Sequence, residues 1–177
     1  MTEQAIAGTT GFVAYEYRTI RADRELESLW RDSLHNFGWI VESAATPISR
    51  TTVVMLKVKR DRRIKNRPMV LELERKCESA LSAIARMEKS KNTTATAVAA
   101  TIAVLGSASL AGSIFTLNAG NQLVSIVLGA IGLLAWVAGY LAYGGVKGSR
   151  TAALAPRIDH EYSVVHETGE QGARLLS

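Results

Sequence analysis

Apolar and charged positions divide the chain into two halves of different character. Between residues 92 and 146 there is no Asp, Glu, Lys, Arg or His, whereas charged residues occur throughout the rest of the chain. A soluble domain needs charges over its whole surface, so this uncharged run favours a membrane environment. A spanning helix needs about 20 apolar residues. The sequence therefore predicts transmembrane helices at residues 95–117 and 123–146, with an external turn at residues 118–122 where Asn, Gly and Gln cluster.

The basic residues beside this run predict its orientation. Cytoplasmic segments close to transmembrane helices carry an excess of Lys and Arg. Basic residues precede the first span and follow the second, while the turn between the spans has none: Arg86, Lys89, Lys91, Lys147, Arg150 and Arg157. We therefore expect a multi-pass protein of the cytoplasmic membrane with both termini in the cytoplasm.

Small residues recur at four-residue spacing along both spans, which lets helix backbones approach closely in lipid. They are Ala99, Ala103, Ala108 and Gly112 in the first span, and Ser125, Gly129, Ala135 and Gly139 in the second. The simpler interpretation is that the two spans pack on each other, and the alternative is a contact between subunits. Hydroxyl groups in the first span could line a pore, but such groups more often bond to their own helix. Neither span has an ionisable residue, which argues against a transporter or a pump.

The half before the spans has the pattern of a small α+β domain. Alternation of apolar and polar residues predicts a half-buried strand over residues 12–20. Leucines and aromatic residues at helical spacing then predict an amphipathic helix, which Asp23 caps at its start and Gly38 at its end. The inward residues expected of these two elements are Val13, Tyr15, Tyr17, Trp30 and Phe37.

Two further strands complete this domain. They are predicted over residues 39–43 and 51–59, and Trp39 is expected to join the core. The strand over residues 51–59 has one wholly apolar face, which is formed by Val54, Leu56 and Val58. The order is therefore β-α-β-β over residues 12–65. Residues 1–11 are small and polar, lack the apolar segment of a signal peptide, and are expected to be disordered.

A long amphipathic helix is predicted over residues 66–94, with Pro68 in its first turn, where proline is tolerated. Its apolar residues follow a seven-residue repeat: Val70, Leu73, Cys77, Ala80, Ile84 and Met87. Packing of this face on the sheet is the simpler interpretation, and a short coiled coil between subunits is the alternative. We expect this helix to be a stalk that continues into the first span.

Residues 147–177 are predicted to be cytoplasmic. Residues 148–155 read as a linker, and Pro156 then opens an amphipathic helix that lies either on the small domain or along the membrane surface. The predicted fold class is therefore an α+β membrane protein with a βαββ domain, a stalk helix, a transmembrane helical hairpin and a C-terminal helix.

A dense basic run lies between the last strand and the stalk helix. It consists of Lys57, Lys59, Arg60, Arg62, Arg63, Lys65 and Arg67. Basic residues beside an anionic leaflet are each worth about 1 kcal/mol of attraction, so membrane lipid is the expected partner of the run. No known nucleic-acid motif surrounds it, which argues against nucleic acid.

The sequence shows no recognisable reaction chemistry. His160 and His166 are six residues apart, whereas metal-binding pairs on a helix are three or four apart, so we expect no metal. Cys77 belongs to the apolar helix stripe and is expected in the core, not as a nucleophile. No phosphate-binding glycine loop, nucleophile elbow or catalytic carboxylate pair is present, so no cofactor and no catalytic residue are predicted.

Several short motifs resemble a family of small two-span membrane proteins, mostly of Gram-positive bacteria, that have no assigned activity. The motifs are Tyr15-Glu16-Tyr17, Trp30 with Asn36-Phe37-Gly38-Trp39, Leu56-Lys57 with Lys59-Arg60-Asp61-Arg62, and His160-Glu161-Tyr162 with Gly169-Glu170. The resemblance covers residues 12–177. It implies a cytoplasmic βαββ domain but neither a substrate nor catalytic residues.

Three functional hypotheses follow. The first is a non-catalytic scaffold or accessory subunit whose cytoplasmic domain binds a protein partner or further copies of this chain. The second is a membrane-bound enzyme acting on lipid, or a lipid-binding protein, that uses the basic run. The third is a small channel formed by oligomerisation.

Overall fold

The structure, a computed structural model, describes residues 14–45 and 52–177. It is an α+β fold with a three-stranded sheet and two long apolar helices. The strands are β1 (Tyr15–Asp23), β2 (Ile40–Ala45) and β3 (Val53–Asp61), and the helices are α1 (Glu27–Asn36), α2 (Arg67–Asn118) and α3 (Gln122–Leu176). The predicted β-α-β-β order is confirmed. The expectations for residues 1–11, Phe12, Val13 and Thr51 lie outside the described residues.

The sheet is antiparallel with β3 in its centre. Its order is β1-β3-β2, and Ile20 of β1 and Ala44 of β2 both lie opposite Leu56. The register of β2 shifts between Val41 and Ser43, so Glu42 forms a bulge. The predicted inward face of β3 is confirmed, because Val54, Leu56 and Val58 are all buried.

The face predicted for the first strand is wrong. Tyr15 and Tyr17 are 43% and 67% exposed, and the even-numbered residues of β1 point inward instead. In a strand, a one-residue change of phase moves every side chain to the other face. Ile20 and Ala22 are buried and therefore fix the phase that turns Glu16 inward with them.

The first helix begins with one 3₁₀ turn (Arg24–Leu26) and continues as α1. Trp30, Leu34 and Phe37 are buried, as predicted. Asp23 precedes the 3₁₀ turn, but its side chain makes no capping hydrogen bond, so its predicted capping role is wrong. Gly38 has φ of 78° and ends the helix in the left-handed conformation, as expected for a C-terminal glycine.

The chain forms two compact units, one of Met1–Leu81 with Ser163–Ser177 and the other of Ser82–Tyr162. The first unit contains the sheet, α1, the start of α2 and the end of α3. Most of the apolar stripe at the start of α2 is buried there, including Val70, Cys77 and Leu81, so this face is covered within the chain and needs no coiled coil.

The last turns of α3 pack on the small domain. A Cβ atom added to Gly172 would lie 2.5 Å from Cε1 of Phe37, and one added to Gly169 would lie 2.9 Å from Nδ2 of Asn36. The side chain of Asn66 also donates a hydrogen bond to the carbonyl of Leu175. Of the two positions expected for this helix, the structure therefore has the one on the domain.

The predicted linker at residues 148–155 is wrong, because α3 is unbroken from Gln122 to Leu176 and has Pro156 inside it. Most residues of this stretch are good helix formers, and a glycine costs a helix only about 1 kcal/mol. A proline removes one backbone hydrogen bond, a loss that a helix packed at both of its ends can tolerate.

The second unit is a helical hairpin with its turn where the sequence predicts it. α2 ends at Asn118, α3 begins at Gln122, and Gly120 has φ of 82° between them. Both helices are long and apolar enough to cross a membrane. In their most apolar stretches of 18 residues, 6% and 17% of the residues are buried, so these helices are unlike the core helices of a soluble protein.

Candidate functional site

The structure separates the basic run into three groups with different surroundings. Arg60 and Arg67 belong to an ion cluster inside the first unit. Lys57 and Lys59 lie on the face of the sheet that also carries Tyr15 and Tyr17, and no helix of residues 14–45 and 52–177 covers this face, which we call the outer sheet face. The other members, Arg62, Arg63 and Lys65, are exposed around the turn between β3 and α2.

Arg60 does not contact the membrane surface as predicted, because its side chain is 1% exposed. Its Nε donates a hydrogen bond to Glu16 at 2.9 Å, and its Nη1 donates to Glu74 at 2.8 Å and to the carbonyl of Phe37 at 3.1 Å. The guanidinium also lies over the ring of Trp39, 4.2 Å from the centroid. Two carboxylates and an aromatic face therefore compensate a charge that burial alone would make very unfavourable.

The ion cluster extends to both sides of Arg60. Arg67 donates to the second oxygen of Glu16 at 2.9 Å, and Arg18 donates to Glu74 at 3.1 Å. The indole N–H of Trp39 also donates to Glu74, at 3.0 Å. A hydrogen bond to Glu78 raises the pKa of Arg18. The cluster ties α2 to strands β1 and β3, so its role is structural.

The outer sheet face combines exposed apolar and basic side chains. Tyr15 and Tyr17 contact each other edge to face at 6.4 Å between centroids, and Lys59 lies 5.4 Å from the centroid of Tyr15. Ile40, on the neighbouring strand, is 56% exposed. Lys59 also pairs with Glu42 at 2.8 Å, and this hydrogen bond raises the pKa of Lys59. Neighbouring exposed aromatic and aliphatic groups with polar residues around them are typical of binding sites.

Cys77 is buried between α1 and α2, as the sequence predicts. Burial raises the pKa of its thiol, although Thr168 and Ser33 lie within hydrogen-bonding reach and oppose this effect. A buried thiol with a raised pKa is a poor nucleophile.

Among the glycines of the hairpin, the tightest contacts between the two helices occur at a pair that the predicted small-residue set does not contain. A Cβ atom added to Gly132 would lie 2.9 Å from the carbonyl oxygen of Gly106 and 2.6 Å from Cγ of Leu110. The signal was only partly available, because Gly106 and Gly132 lie within the two predicted spans, but so do Gly144 and Gly145, which have nothing within 4 Å of an added Cβ atom.

Most of the predicted set lies along the same interface. Gly129 approaches Ser113 and Gly139 approaches Ile102 and the backbone of Ala99, while the Ser113 hydroxyl donates to the carbonyl of Ser125 at 2.7 Å. Gly112 and Ala135 also face the opposite helix. Ala103 lines an apolar groove beside Trp136, Tyr140 and Tyr143. Ala108 is exposed, and so it is not part of the hairpin contact. These contacts agree with packing of the two spans on each other.

The hydroxyl groups that could line a pore have other partners. Thr101, Ser107 and Thr116 donate to carbonyls one turn earlier in their own helix, and Ser113 reaches across to α3. Such bonds of Ser and Thr hydroxyl groups to the preceding turn are common in helices.

No protein-family model, no curated protein and no solved structure matches this chain. The resemblance to small two-span membrane proteins therefore stays a prediction. Within residues 14–45 and 52–177, no three His, Cys, Asp or Glu side chains are grouped so as to hold a metal ion. The class that the structure defines is an α+β protein with two long apolar helices able to span a membrane.

Proposed function

We propose that the protein is an integral membrane protein with two spans and a non-catalytic cytoplasmic domain that binds a protein partner. One observation carries the membrane part of this proposal. Both long helices expose nearly all of their most apolar stretches, and bilayer hydrocarbon is the solvent that such surfaces require. Leu105, Phe115, Leu123 and Leu134 are examples, each more than half exposed.

The chain segments that form the first unit support a hairpin topology. They precede and follow the hairpin in the sequence, at Met1–Leu81 and Ser163–Ser177. Two chain segments that pack into one domain must lie on the same side of a membrane, even if the chain crosses that membrane between them. The basic residues that flank both spans support the cytoplasm as that side.

The outer sheet face is the surface that we assign to the partner. It offers Tyr15, Tyr17 and Ile40 as exposed apolar anchors with Lys57 and Lys59 beside them. Tyrosine is enriched at protein interfaces because its ring buries a large apolar area while its hydroxyl group stays hydrogen-bonded. Lys57 favours a partner surface with an acidic residue beside an apolar centre, whereas Lys59 is already paired with Glu42.

Photo-crosslinking in native membranes tests the assignment. A photoreactive amino acid at position 17 or 40 should crosslink one protein in defined stoichiometry. The matched control is position 174, because Arg174 is also exposed in the first unit but lies on α3, away from the sheet. Equal crosslinking from all three positions, or none from positions 17 and 40, would contradict a partner on this face.

Membrane insertion is tested separately. The protein should remain in the membrane fraction after an alkaline carbonate wash and be released by detergent. Release by carbonate alone would contradict the two spans without affecting the crosslinking result.

A further inference from the structure

A second groove lies within the hairpin unit, beyond the uncharged run. It has a volume of about 720 Å³ and lies between the first part of the unit's α2 segment and the last part of its α3 segment. Its lining is Ala83, Arg86, Met87 and Ser90 from α2, and Pro156, Arg157, His160 and Glu161 from α3. None of these residues belongs to the basic run or to the small-residue set.

The groove combines apolar walls with unpaired positive charge. Ala83, Met87 and Pro156 supply apolar surface, and Arg86 and Arg157 are exposed. Neither guanidinium forms an ion pair within the part of the chain that the structure describes, although Glu161 is nearby. This differs from the first unit, where carboxylates neutralise the guanidinium groups of Arg60 and Arg67.

The groove begins at the depth where lipid headgroups would lie. Ser90 precedes the predicted span at Ala95 by about five residues, which is about 7.5 Å of helix. The polar region of a bilayer extends about 5–8 Å beyond the hydrocarbon on each side. Side chains on a helix lean towards its N-terminus, so Arg157 of α3 leans towards the bilayer and Arg86 of α2 leans away from it. Arg86 therefore has to reach a headgroup through its long flexible side chain.

We propose that this groove binds the headgroup of an anionic phospholipid from the cytoplasmic leaflet. Arg86 and Arg157 hold the phosphate from two helices, and guanidinium groups match phosphate oxygens with paired hydrogen bonds. The apolar walls cover the glycerol and the first methylene groups of the lipid, which a free phosphate ion does not possess. This inference rests on the proposed membrane insertion, since the lipid must be within reach of the groove.

Lipid binding by the full-length protein provides the test. The wild-type chain, reconstituted in nanodiscs of phosphatidylcholine, is titrated with phosphatidylglycerol, and bound lipid is measured by native mass spectrometry. The double variant Arg86→Gln with Arg157→Gln should bind phosphatidylglycerol at least about tenfold more weakly, because each charge-assisted hydrogen bond contributes enough for such a change.

The matched control is Arg62→Gln with Arg63→Gln, which removes the same charge from the exposed turn of the first unit. We expect it to bind within about twofold of the wild-type protein, since Arg62 and Arg63 do not line the groove and act on the lipid only through salt-screened attraction at a distance. Equal weakening in both double variants would show that general surface charge attracts the lipid, and would overturn the site.

Two further arms separate the remaining outcomes. Soluble glycerol phosphate should fail to compete at concentrations where phosphatidylglycerol binds; equal competition would show a site for free phosphate instead. The variant Arg86→Lys with Arg157→Lys keeps the charge and should retain intermediate binding, which guards against a misfolded Gln variant. Protein that inserts into nanodiscs but shows no lipid preference would contradict this site while leaving the proposed insertion intact.

Discussion

Arg60 connects the helices and the sheet of the first unit through charge, where most small domains rely on apolar contact alone. It contacts Glu16 of β1, Glu74 of α2, the backbone at the end of α1 and the ring of Trp39. Replacing a whole buried ion group by apolar residues is often neutral, but removing one partner leaves buried charges without compensation. The arrangement is therefore sensitive to single substitutions.

Arg60→Met should destabilise the first unit by about 3–5 kcal/mol, because Glu74 remains buried with Arg18 as its one remaining cationic partner. The measurement is urea unfolding in detergent, followed by the fluorescence of the buried Trp30 and Trp39. Arg62→Gln, two residues away in the exposed turn, should change stability by no more than about 0.5 kcal/mol. An unchanged midpoint for Arg60→Met would mean that the cluster contributes nothing to stability.

At this scale the sequence predicts apolar core positions better than charged ones. Trp30, Phe37 and Trp39 are buried as expected, but Tyr15 is exposed and Arg60 is buried. Hydrophobicity makes the two tyrosines look like core residues and every arginine like a surface residue. The buried positions of the charges depend on partners far along the chain, which a local pattern does not contain. The alternation along β3 does indicate that Arg60 points inward, because Arg60 continues the inward series of Val54, Leu56 and Val58.

Among the elements, α3 has small residues at the positions where it packs most tightly on the rest of its unit. Gly169 and Gly172 weaken a helix in isolation. In the structure they are the positions where α3 approaches Asn36 and Phe37 too closely for a side chain. At these two positions glycine lowers the helix propensity of α3 but permits its close packing on Asn36 and Phe37.

Gly172→Ala should therefore destabilise the first unit by about 1–3 kcal/mol, the usual cost of overpacking a filled contact. Gly148→Ala is the control in the same helix. Nothing lies within 4 Å of a Cβ atom at position 148, so alanine there should stabilise α3 by about 0.5–1 kcal/mol. Thermal unfolding in detergent compares the two. If both substitutions are stabilising, α3 does not dock on Phe37.

Element boundaries follow the sequence closely where local chemistry determines them. The turn at residues 118–122 and the left-handed Gly38 are both visible as turn-forming residues. The continuity of α3 through Pro156 is not, because local signals place a helix start there. The tight contact at Gly106 and Gly132 does not follow from a four-residue spacing within one helix, because these glycines meet across the two helices.

In the whole molecule, the first unit combines chain segments that precede and follow the hairpin in the sequence. The uncharged run alone predicts the two helices and their connecting turn. It contains no information on where residues 163–177 lie, since docking on Phe37 depends on the shape of a domain completed elsewhere in the chain.

Cysteine labelling tests the resulting topology. A cysteine at Asn118 or Gly120 should react with a membrane-impermeant maleimide added to intact cells, and a cysteine at Ser177 should react only after the cells are opened. Cys77 is an internal control, because its burial and raised pKa should leave it unlabelled in the folded protein. Labelling of Ser177→Cys in intact cells would contradict a cytoplasmic C-terminus.

Because the first unit is formed by two separate chain segments, its parts become available at different times during synthesis. Its last helix segment begins at Ser163, about 80 residues after Leu81. At about 5–20 residues per second, the ribosome needs about 4–16 s to synthesise the intervening hairpin. During that interval the faces of Asn36 and Phe37 that α3 later covers are open to water or to a chaperone. The domain is thus completed only after the hairpin has been made, so if the hairpin inserts as we propose, failed insertion would leave an unfinished domain for proteases to remove.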